Sequence, residues 1–449
     1  MTPARSRALV GLVAVIGLWA ALQGTIVLCT RGTARPSVTN VDWWVALSTL
    51  HVKRGFFEVW TPYPPVFPAL HYAVVGAAAR GRVDALHAYF FAGDRSRPAV
   101  RAAWITVPFV HDLWGLANLA LMAAIALAVA RLARAVGGGP GWLAGSAWAL
   151  LQVAPFGLVR IGPWFDQFDY LPALLLLLGL GWLGAARPVR AGVATAIGVL
   201  TKAFPGVLIP MGLAALGRAR ALSFCAAGAI TAAVLVAPFL LARPAVFTST
   251  YRWSADRGGW ESVWIAPERR MPPMPMPPAM GQLFGQPLPQ AEVRAADGVA
   301  NRQPGPRSRP PLRERLVSLA GLAAIVLAAV LLRRGFGTPA GLARGTLLCL
   351  TLLLFFSTGV SSYYFVWLLP LLFVVHRPVT AAALSAAFLL AANLELVGYP
   401  ALPWYWWSLG ARQLLFLGVI VAQVWALRVA STSPPASPEP AAPAGATGP

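Results

Sequence analysis

The feature that most constrains this chain is the grouping of its apolar residues into long runs. A helix needs about 20 consecutive, mostly apolar residues to span a bilayer. Six runs approach or reach that length, at residues 8–28, 103–130, 171–186, 222–241, 316–332 and 414–427. The runs predict an all-α polytopic integral membrane protein.

The charged residues support this class. Only 11% of the residues are charged and 58% are hydrophobic, whereas soluble domains carry about 25% charged residues. The net charge of +21 would suggest nucleic acid in a soluble protein, but every basic residue except Lys53 and Lys202 is arginine. Many of these arginines stand at the ends of apolar runs, as topology signals do. We therefore expect a membrane-lipid environment and no nucleic-acid partner.

Short arginine-rich loops mark the cytoplasmic side of a membrane protein. Placing all such loops inside gives about 12 transmembrane or re-entrant helices in a plasma-membrane protein with both termini in the cytoplasm. The residues used are Arg5, Arg7, Arg131, Arg134, Arg187, Arg190, Arg218, Arg220, Arg333, Arg334, Arg344, His376, Arg377 and Arg428.

The same path divides the chain into six segments. A first transmembrane helix (1–29) precedes a long external loop (30–101) with an interfacial helix near residues 66–79. Residues 102–242 form a transmembrane bundle, in which 191–216 is expected to be two short helices meeting near Lys202 and Pro205. A second external loop (243–315) contains a flexible Pro- and Met-rich stretch (265–311). The C-terminal transmembrane helices (316–428) precede a disordered tail (429–449).

Most of the 15 acidic residues fall in the predicted external loops. Asp42 stands beside Trp43 and Trp44, which could desolvate it and raise its basicity, as a general base requires. Asp166 and Asp169 are three residues apart and would share one side of a helix. Non-functional explanations remain open. Carboxylates in loops are often simply exposed to solvent, and the composition favours a role for the tryptophans and tyrosines as an aromatic belt at the membrane interface.

Lys202 is the lysine that falls within the predicted bundle. A cation in a membrane needs a partner or a polar cavity, so Lys202 could meet a lipid phosphate. Snorkelling, or pairing with a carboxylate, explains it equally well. The scattered His and Cys residues lack metal-ligand spacing, and three cysteines do not form a disulfide framework. We expect no metal and no cofactor.

A set of short motifs follows in a fixed order along residues 10–370. After Asp42 come the Pro62–Pro68 segment PYPPVFP, Arg101 and His111-Asp112-Leu113, WFDQFD at 164–169, LPAL at 171–174, LTKAFP at 200–205, Asp256-Arg257, Glu261-Ser262, and SSYYFVWLLP at 361–370. This order resembles the polyprenyl-phosphate-sugar-dependent glycosyltransferases of the GT-C superfamily, most closely the bacterial glycosyltransferase family 87 type.

The resemblance implies a GT-C-like bundle with an extracytoplasmic active site. It implies an inverting, metal-independent transfer of a sugar, mannose in that family, from a polyprenyl-phosphate donor to a hydroxyl of a glycan or lipid acceptor. The residues fit these roles: Asp42 as general base; Lys202, Arg252 and Arg257 at the donor phosphate; Asp166, Asp169, Glu261 and Tyr63 at sugar or acceptor hydroxyls.

Two other function classes stay open. Intramembrane charge and Pro-broken helices also fit a secondary transporter, although the sequence shows no strong internal repeat. An inactive scaffold of an envelope glycan pathway is the third alternative. Family members often carry an aromatic-His pair before the arginine of the second loop, and the His position here is Ser254.

The topology generates a labelling prediction. Cysteines introduced by Thr39→Cys and Ser308→Cys should react with an impermeant thiol reagent in intact cells, because both positions lie in predicted external loops. Protection of both positions in intact cells, with reaction only after permeabilisation, would show that the orientation is inverted.

Overall fold

The chain is described here from a computed structural model, which covers residues 9–18, 21, 40–58, 64–94, 96–137, 140–153, 169–248, 251, 263–264, 312–358, 364–398 and 404–432. Within these residues the regular structure is helical throughout, with no β-strand. The predicted all-α class is therefore confirmed.

The helices are numbered in chain order. The α-helices are α1 Leu9–Leu18, α2 Asn40–Arg54, α3 Val66–Ala78, α4 Val83–Phe91, α5 Arg97–Val136, α6 Gly141–Val153, α7 Tyr170–Gly184, α8 Pro188–Thr201, α9 Leu208–Ala215, α10 Arg218–Ala242, α11 Leu312–Leu331, α12 Pro339–Phe355, α13 Phe365–Val375, α14 Pro378–Gly398 and α15 Trp404–Thr432. Short 3₁₀ helices lie at Phe56–Glu58, Phe204–Val207 and Arg333–Gly337.

Four helices in the described part of the chain are long and apolar enough to cross a membrane: α5, α10, α11 and the Trp407–Thr432 part of α15. The other apolar helical stretches, including the Pro378–Ala391 part of α14, have 10–17 residues. Two of them, α8 and α9, meet next to Lys202 and Pro205, as the sequence predicts. Length and composition thus identify an α-helical membrane protein.

Close contacts between α7, α8 and α10 organise one side of the bundle. A Cβ atom on Gly192 of α8 would lie 2.3 Å from the carbonyl oxygen of Phe224 in α10, so only glycine allows this approach. Gly192 and Phe224 are both close to the first turn of their helices. The two helices therefore begin at the same end of the bundle, and because α8 also packs extensively against α10, they run in the same direction.

The turns that carry arginine collect at that end. Short turns join antiparallel neighbours, so alternate turns fall on the same side of a bundle. Contacts at this end agree: a Cβ on Gly184, the last residue of α7, would lie 3.9 Å from Pro339 at the start of α12, and one on Gly335 would lie 3.2 Å from Leu427 of α15. We call this side the arginine-rich end. The starts of α7 and α13 and the end of α8 lie at the opposite end.

The predicted first external loop contains more structure than one interfacial helix. Helices α2, α3 and α4 pack with the first half of α5 around a separate apolar core that includes Trp44, Phe67, Leu86, Phe90 and Val110. We call residues 40–110 the first-loop unit. Helix α5 has 40 residues and is about 60 Å long. It therefore extends from this core into the main one, whereas the apolar run in the sequence covers only residues 103–130.

His51 closes the turn that follows α2. It is buried, and its Nδ1 lies 2.8 Å from the carbonyl oxygen of Phe56. Since the carbonyl can only accept, the ring donates from Nδ1. Burial lowers the pKa of His51 to about 4 from its usual 6.5. The first-loop unit therefore folds around a neutral imidazole.

This burial predicts an acid-sensitive first-loop unit. In the unfolded chain His51 has its usual pKa of 6.5 and is protonated below that pH. In the folded chain its pKa is about 4, so it stays neutral until the pH reaches that value. The stability that His51 contributes is therefore complete above pH 6.5. It is lost as the pH falls towards 4, by roughly 3 kcal/mol on the scale of 1.36 kcal/mol per pKa unit.

Hydrogen exchange of the α2 amides at pH 7.5 and pH 4.5 measures this loss. The matched variant is His51→Asn, which keeps a side-chain N–H donor and cannot titrate. The variant should exchange with a smaller pH dependence than the native chain. Identical dependence in the two proteins would contradict the assignment to His51.

Candidate functional site: a buried ion pair where three helices meet

Asp169 and Lys202 form an ion pair at the end of the bundle opposite the arginines. The Lys202 Nζ atom lies 2.6 Å from Asp169 Oδ1, and the side chains are 11% and 1% exposed. Asp169 directly precedes α7, and Lys202 directly follows α8. The pair therefore joins the start of one helix to the end of the next.

Trp367 of α13 completes the polar part of the site. Its indole Nε1 donates a hydrogen bond to the same Asp169 oxygen at 2.5 Å. Asp169 Oδ1 thus accepts one hydrogen bond from an ammonium group and one from an indole. Both bonds are charge-assisted, and such bonds are stronger than those between neutral groups. Among the described residues no donor reaches the other carboxylate oxygen, Oδ2, which is buried.

Two aromatic rings, Tyr364 and Trp367, lie next to the ammonium group, and a third ring, Phe204, stacks on Trp367. The Trp367 ring is stacked between Phe204, at 4.0 Å between centroids, and Tyr364, at 4.1 Å. Lys202 Nζ lies 4.7 Å from the Tyr364 centroid and 5.0 Å from that of Trp367, within cation–π range. The aromatic faces thus add to the stabilisation that Asp169 gives the buried cation.

The local sequence explains why Lys202 leaves its helix here. Lys202 has an extended backbone with φ −160° and ψ 136°, and the 3₁₀ helix that follows contains Pro205. Pro205 folds back over the last turn of α8, where a Cβ on Gly198 would lie 2.9 Å from it. Gly198 therefore makes room for the turn that directs Lys202 towards Asp169.

Asp169 stands where an N-cap residue would, but its side chain forms no cap hydrogen bond to α7. It instead engages Lys202 and Trp367. A carboxylate is favourable near a helix N-terminus in any case, because of the helix dipole. Asp169 is therefore a residue type that commonly caps helices, but here its side chain binds a cation.

The structure shows one of the alternatives for Lys202, pairing with a carboxylate. Its side chain is bound to a carboxylate in the structure, so its positive charge is already offset by Asp169. Two predicted site residues, Asp169 and Lys202, are thus brought together. A phosphate at this position would have to share Lys202 with Asp169 or be held by further cations.

Asp42 lies in the first turn of α2, in the first-loop unit. Trp44, two residues later, is buried and contacts Phe67 and His71. The side chains of Asp42 and Trp43 lie outside the described part of the structure, so the predicted desolvation of Asp42 stays a prediction. The predicted site residues Tyr63, Asp166, Arg252, Arg257 and Glu261 also lie outside the described residues.

Sequence reasoning assigned no role to Phe204, Tyr364 or Trp367. All three stand inside the short motifs at 200–205 and 361–370, so the motifs contained the signal. It was missed because an aromatic residue in a membrane protein is usually core or interface. Only the fold shows that Tyr364 and Trp367 lie beside Lys202 and that Phe204 stacks on Trp367.

The fold and site define an α-helical membrane protein with a charged, aromatic-lined site buried at one end. Within the described residues no group of three or more His, Cys, Asp or Glu side chains could hold a metal ion. Comparisons with protein-family models, with curated proteins and with solved structures give no match.

Removing the cation should destabilise the fold. Lys202→Met keeps the length of the side chain but leaves Asp169, which is 1% exposed, without the ammonium. Breaking a buried pair from one side typically costs about 3–5 kcal/mol. Adding Asp169→Asn to this variant should recover part of the loss, because the uncompensated charge is then gone. Unfolding in detergent micelles measures both variants.

The exposed pair Lys53–Asp84 is the matched control. Its N–O distance is 3.1 Å, and its side chains are 41% and 92% exposed. Exposed pairs contribute at most about 1 kcal/mol, so Lys53→Met should have a small effect. Equal losses in Lys53→Met and Lys202→Met would refute a structural role for the buried pair.

Proposed function

We propose that this protein is a membrane glycosyltransferase that transfers a sugar from a polyprenyl-phosphate donor to a hydroxyl of a glycan or lipid acceptor. The supporting observation is the convergence of three separate motif segments. Asp169, Lys202 with Phe204, and Tyr364 with Trp367 meet in one buried site. The resemblance to the GT-C superfamily rests on these segments among others.

The position of the first-loop unit also supports the proposal. The rings of Phe56 and Phe57, which follow α2, contact the ring of Phe239 near the end of α10. The centroid distances are 5.4 Å and 5.1 Å. In addition, α3 packs against α8. Since α10 ends on the Lys202 side of the bundle, the unit that carries Asp42 adjoins that side. This contact supports a site shared by the first-loop unit and the buried pair, in which Asp42, in the first turn of α2, is the proposed base.

The reaction needs one base and a cationic site. In an inverting transfer the acceptor oxygen attacks the anomeric carbon and its proton passes to a base, here Asp42. The bond between the anomeric carbon and the phosphate oxygen breaks, and the polyprenyl phosphate leaves with that electron pair. Cations stabilise the charge that develops on the phosphate.

Charge balance suggests that Lys202 does not hold the phosphate alone. Asp169 offsets its charge, whereas a sugar phosphodiester carries one negative charge and the leaving phosphate more. Arg252 and Arg257 are the proposed additional cations, since guanidinium binds phosphate in a bidentate manner. Asp166, Asp169, Glu261 and Tyr63 are proposed to orient sugar or acceptor hydroxyls.

The membrane arrangement follows from the positive-inside rule. With the arginine-rich end in the cytoplasm, the Lys202 end faces outwards and about 12 helices cross or re-enter the bilayer. Nucleotide sugars are scarce outside the cytoplasm, so a donor carried by a membrane lipid fits this side. The secondary-transporter alternative is weaker, because the sequence shows no strong internal repeat.

Radiolabelled polyprenyl-phosphate mannose tests the activity directly. The purified full chain, mixed with donor and native membrane extract, should form a labelled acceptor product. Absence of transfer from this donor and from other polyprenyl-phosphate sugars would contradict the proposal and favour the scaffold or transporter alternative.

Two variants test the proposed roles. Asp42→Asn keeps size and hydrogen bonding but cannot take the proton, so turnover should fall about 10²–10⁴-fold with little change in donor binding. Lys202→Ala should weaken donor binding, because one cation of the site is lost. Rates and donor affinities are measured on protein that remains folded by its melting temperature.

Glu58→Gln is the control for Asp42. Glu58 lies in the same first-loop unit, at the end of the Phe56–Glu58 3₁₀ helix, and has no proposed role. It should retain near-native turnover. Near-native turnover in Asp42→Asn would instead exclude Asp42 as the base and make Asp166 the next candidate.

A further inference from the structure

The arginine-rich end bears a cluster of positive charge that the proposed reaction does not use. Its members lie on three connections, between α7 and α8, between α9 and α10, and between α11 and α12. All are exposed: Arg187, Arg190, Arg218, Arg220, Arg333 and Arg334. The sequence contains no Asp or Glu from residue 170 to 255 or from 315 to 394.

Described carboxylates do not neutralise this cluster. In the described part of the chain the ion pairs involve Lys53 and Lys202, neither of which is at this end. A surface with several guanidinium groups and no acid attracts a polyanion or a phosphate-bearing group. The identity of that group depends on what adjoins the arginines.

Helix α9 brings two of the arginine pairs together. It packs against α10, against α11 and against the 3₁₀ helix Arg333–Gly337. Arg218 and Arg220 begin α10, immediately after α9 ends, and Arg333 and Arg334 follow α11. The four guanidinium groups therefore belong to neighbouring elements around the end of α9.

Large exposed apolar side chains adjoin these four arginines. Leu222 is one turn after Arg218 on the same face of α10 and is 71% exposed, and Leu331, two residues before Arg333, is 66% exposed. Leu213 of α9 is also exposed. Helices α10 and α11 are candidate spans with mostly unburied apolar surfaces. A nucleic acid has no aliphatic surface that could pack against these leucines, whereas a phospholipid has a phosphate next to its acyl chains.

We propose that Arg218, Arg220, Arg333 and Arg334 bind the headgroup phosphate of an anionic phospholipid, whose acyl chains lie along the exposed apolar faces of α10 and α11. Guanidinium matches phosphate geometry bidentately. The site is independent of the proposed transfer reaction, because it lies at the opposite end of the bundle from Lys202.

This proposal differs from a role of the arginines in topology alone. Topology depends on the number of basic residues near the ends of spans during insertion. Lipid binding requires particular arginines in the folded protein. The distinction can therefore be measured on purified, folded protein.

The experiment measures binding of fluorescent phosphatidylglycerol and phosphatidylcholine to the purified full chain in neutral detergent. Phosphatidylglycerol should bind saturably and at least about 10-fold more tightly, given the contribution of several arginines near an anionic headgroup. Arg218→Gln with Arg333→Gln should weaken that binding by roughly 25-fold, on the order of 5-fold for each arginine.

Arg131→Gln with Arg134→Gln is the matched control. These arginines are also exposed at the arginine-rich end, but on α5, so the pair changes net charge equally without touching the α9 surroundings. It should leave phosphatidylglycerol affinity unchanged. A melting temperature equal to that of the native chain in both double variants would confirm that neither change disturbs the fold.

Three outcomes would overturn the proposal. Equal affinity for the two lipids would show that the headgroup charge is not recognised. An equal loss of phosphatidylglycerol affinity in both double variants would show that only the net charge of the protein matters. Displacement of phosphatidylglycerol by glycerol phosphate or by a short DNA duplex at comparable concentration would show a general anion surface without a role for the acyl chains.

Discussion

The buried bond between Lys202 and Asp169 is the interaction on which the organisation of the site depends. A charge in an apolar bundle is costly unless it is paired and hydrogen-bonded. The 2.6 Å contact meets that condition only if α7, α8 and α13 bring their ends together, because Trp367 must reach the same carboxylate. The polar requirement of one lysine thus constrains the relative positions of three helices.

This constraint also explains the aromatic surroundings. Trp367 supplies both an N–H donor to Asp169 and a ring that stacks with Phe204 and Tyr364. The ammonium lies within cation–π range of two rings of this stack, Tyr364 and Trp367. The site therefore combines close packing with charge stabilisation, and it leaves one buried Asp169 oxygen without a described donor.

Charge is distributed unequally between the two ends of the bundle. One end holds the Asp169–Lys202 pair and adjoins the first-loop unit, and the other holds exposed arginines in a region without acids. Such an arrangement orients a protein in a membrane. It also assigns different chemistry to the two ends: the proposed transfer from a lipid-linked sugar at one, and the proposed binding of anionic lipid at the other.

The sequence by itself determined the class of protein and the placement of its arginines, because both follow from local runs of residues. Apolar blocks specify helices in a membrane, and charge at their ends needs no tertiary contact to be recognised. The separate core of the first-loop unit was not predicted, because α2, α3 and α4 have only 15, 13 and 9 residues and lack the long apolar run of a span. Trp44 meets Phe67 only when α2 and α3 pack together.

The tertiary structure alone decided the partner of Lys202. Asp169 lies 33 residues from Lys202, and Trp367 lies 198 residues from Asp169. From the sequence, three explanations for Lys202 were equally good: snorkelling to the membrane surface, binding a phosphate, or pairing with a carboxylate. The choice depends on which helix ends meet, and that is set by close packing such as the approach of Pro205 to Gly198, which no local pattern encodes.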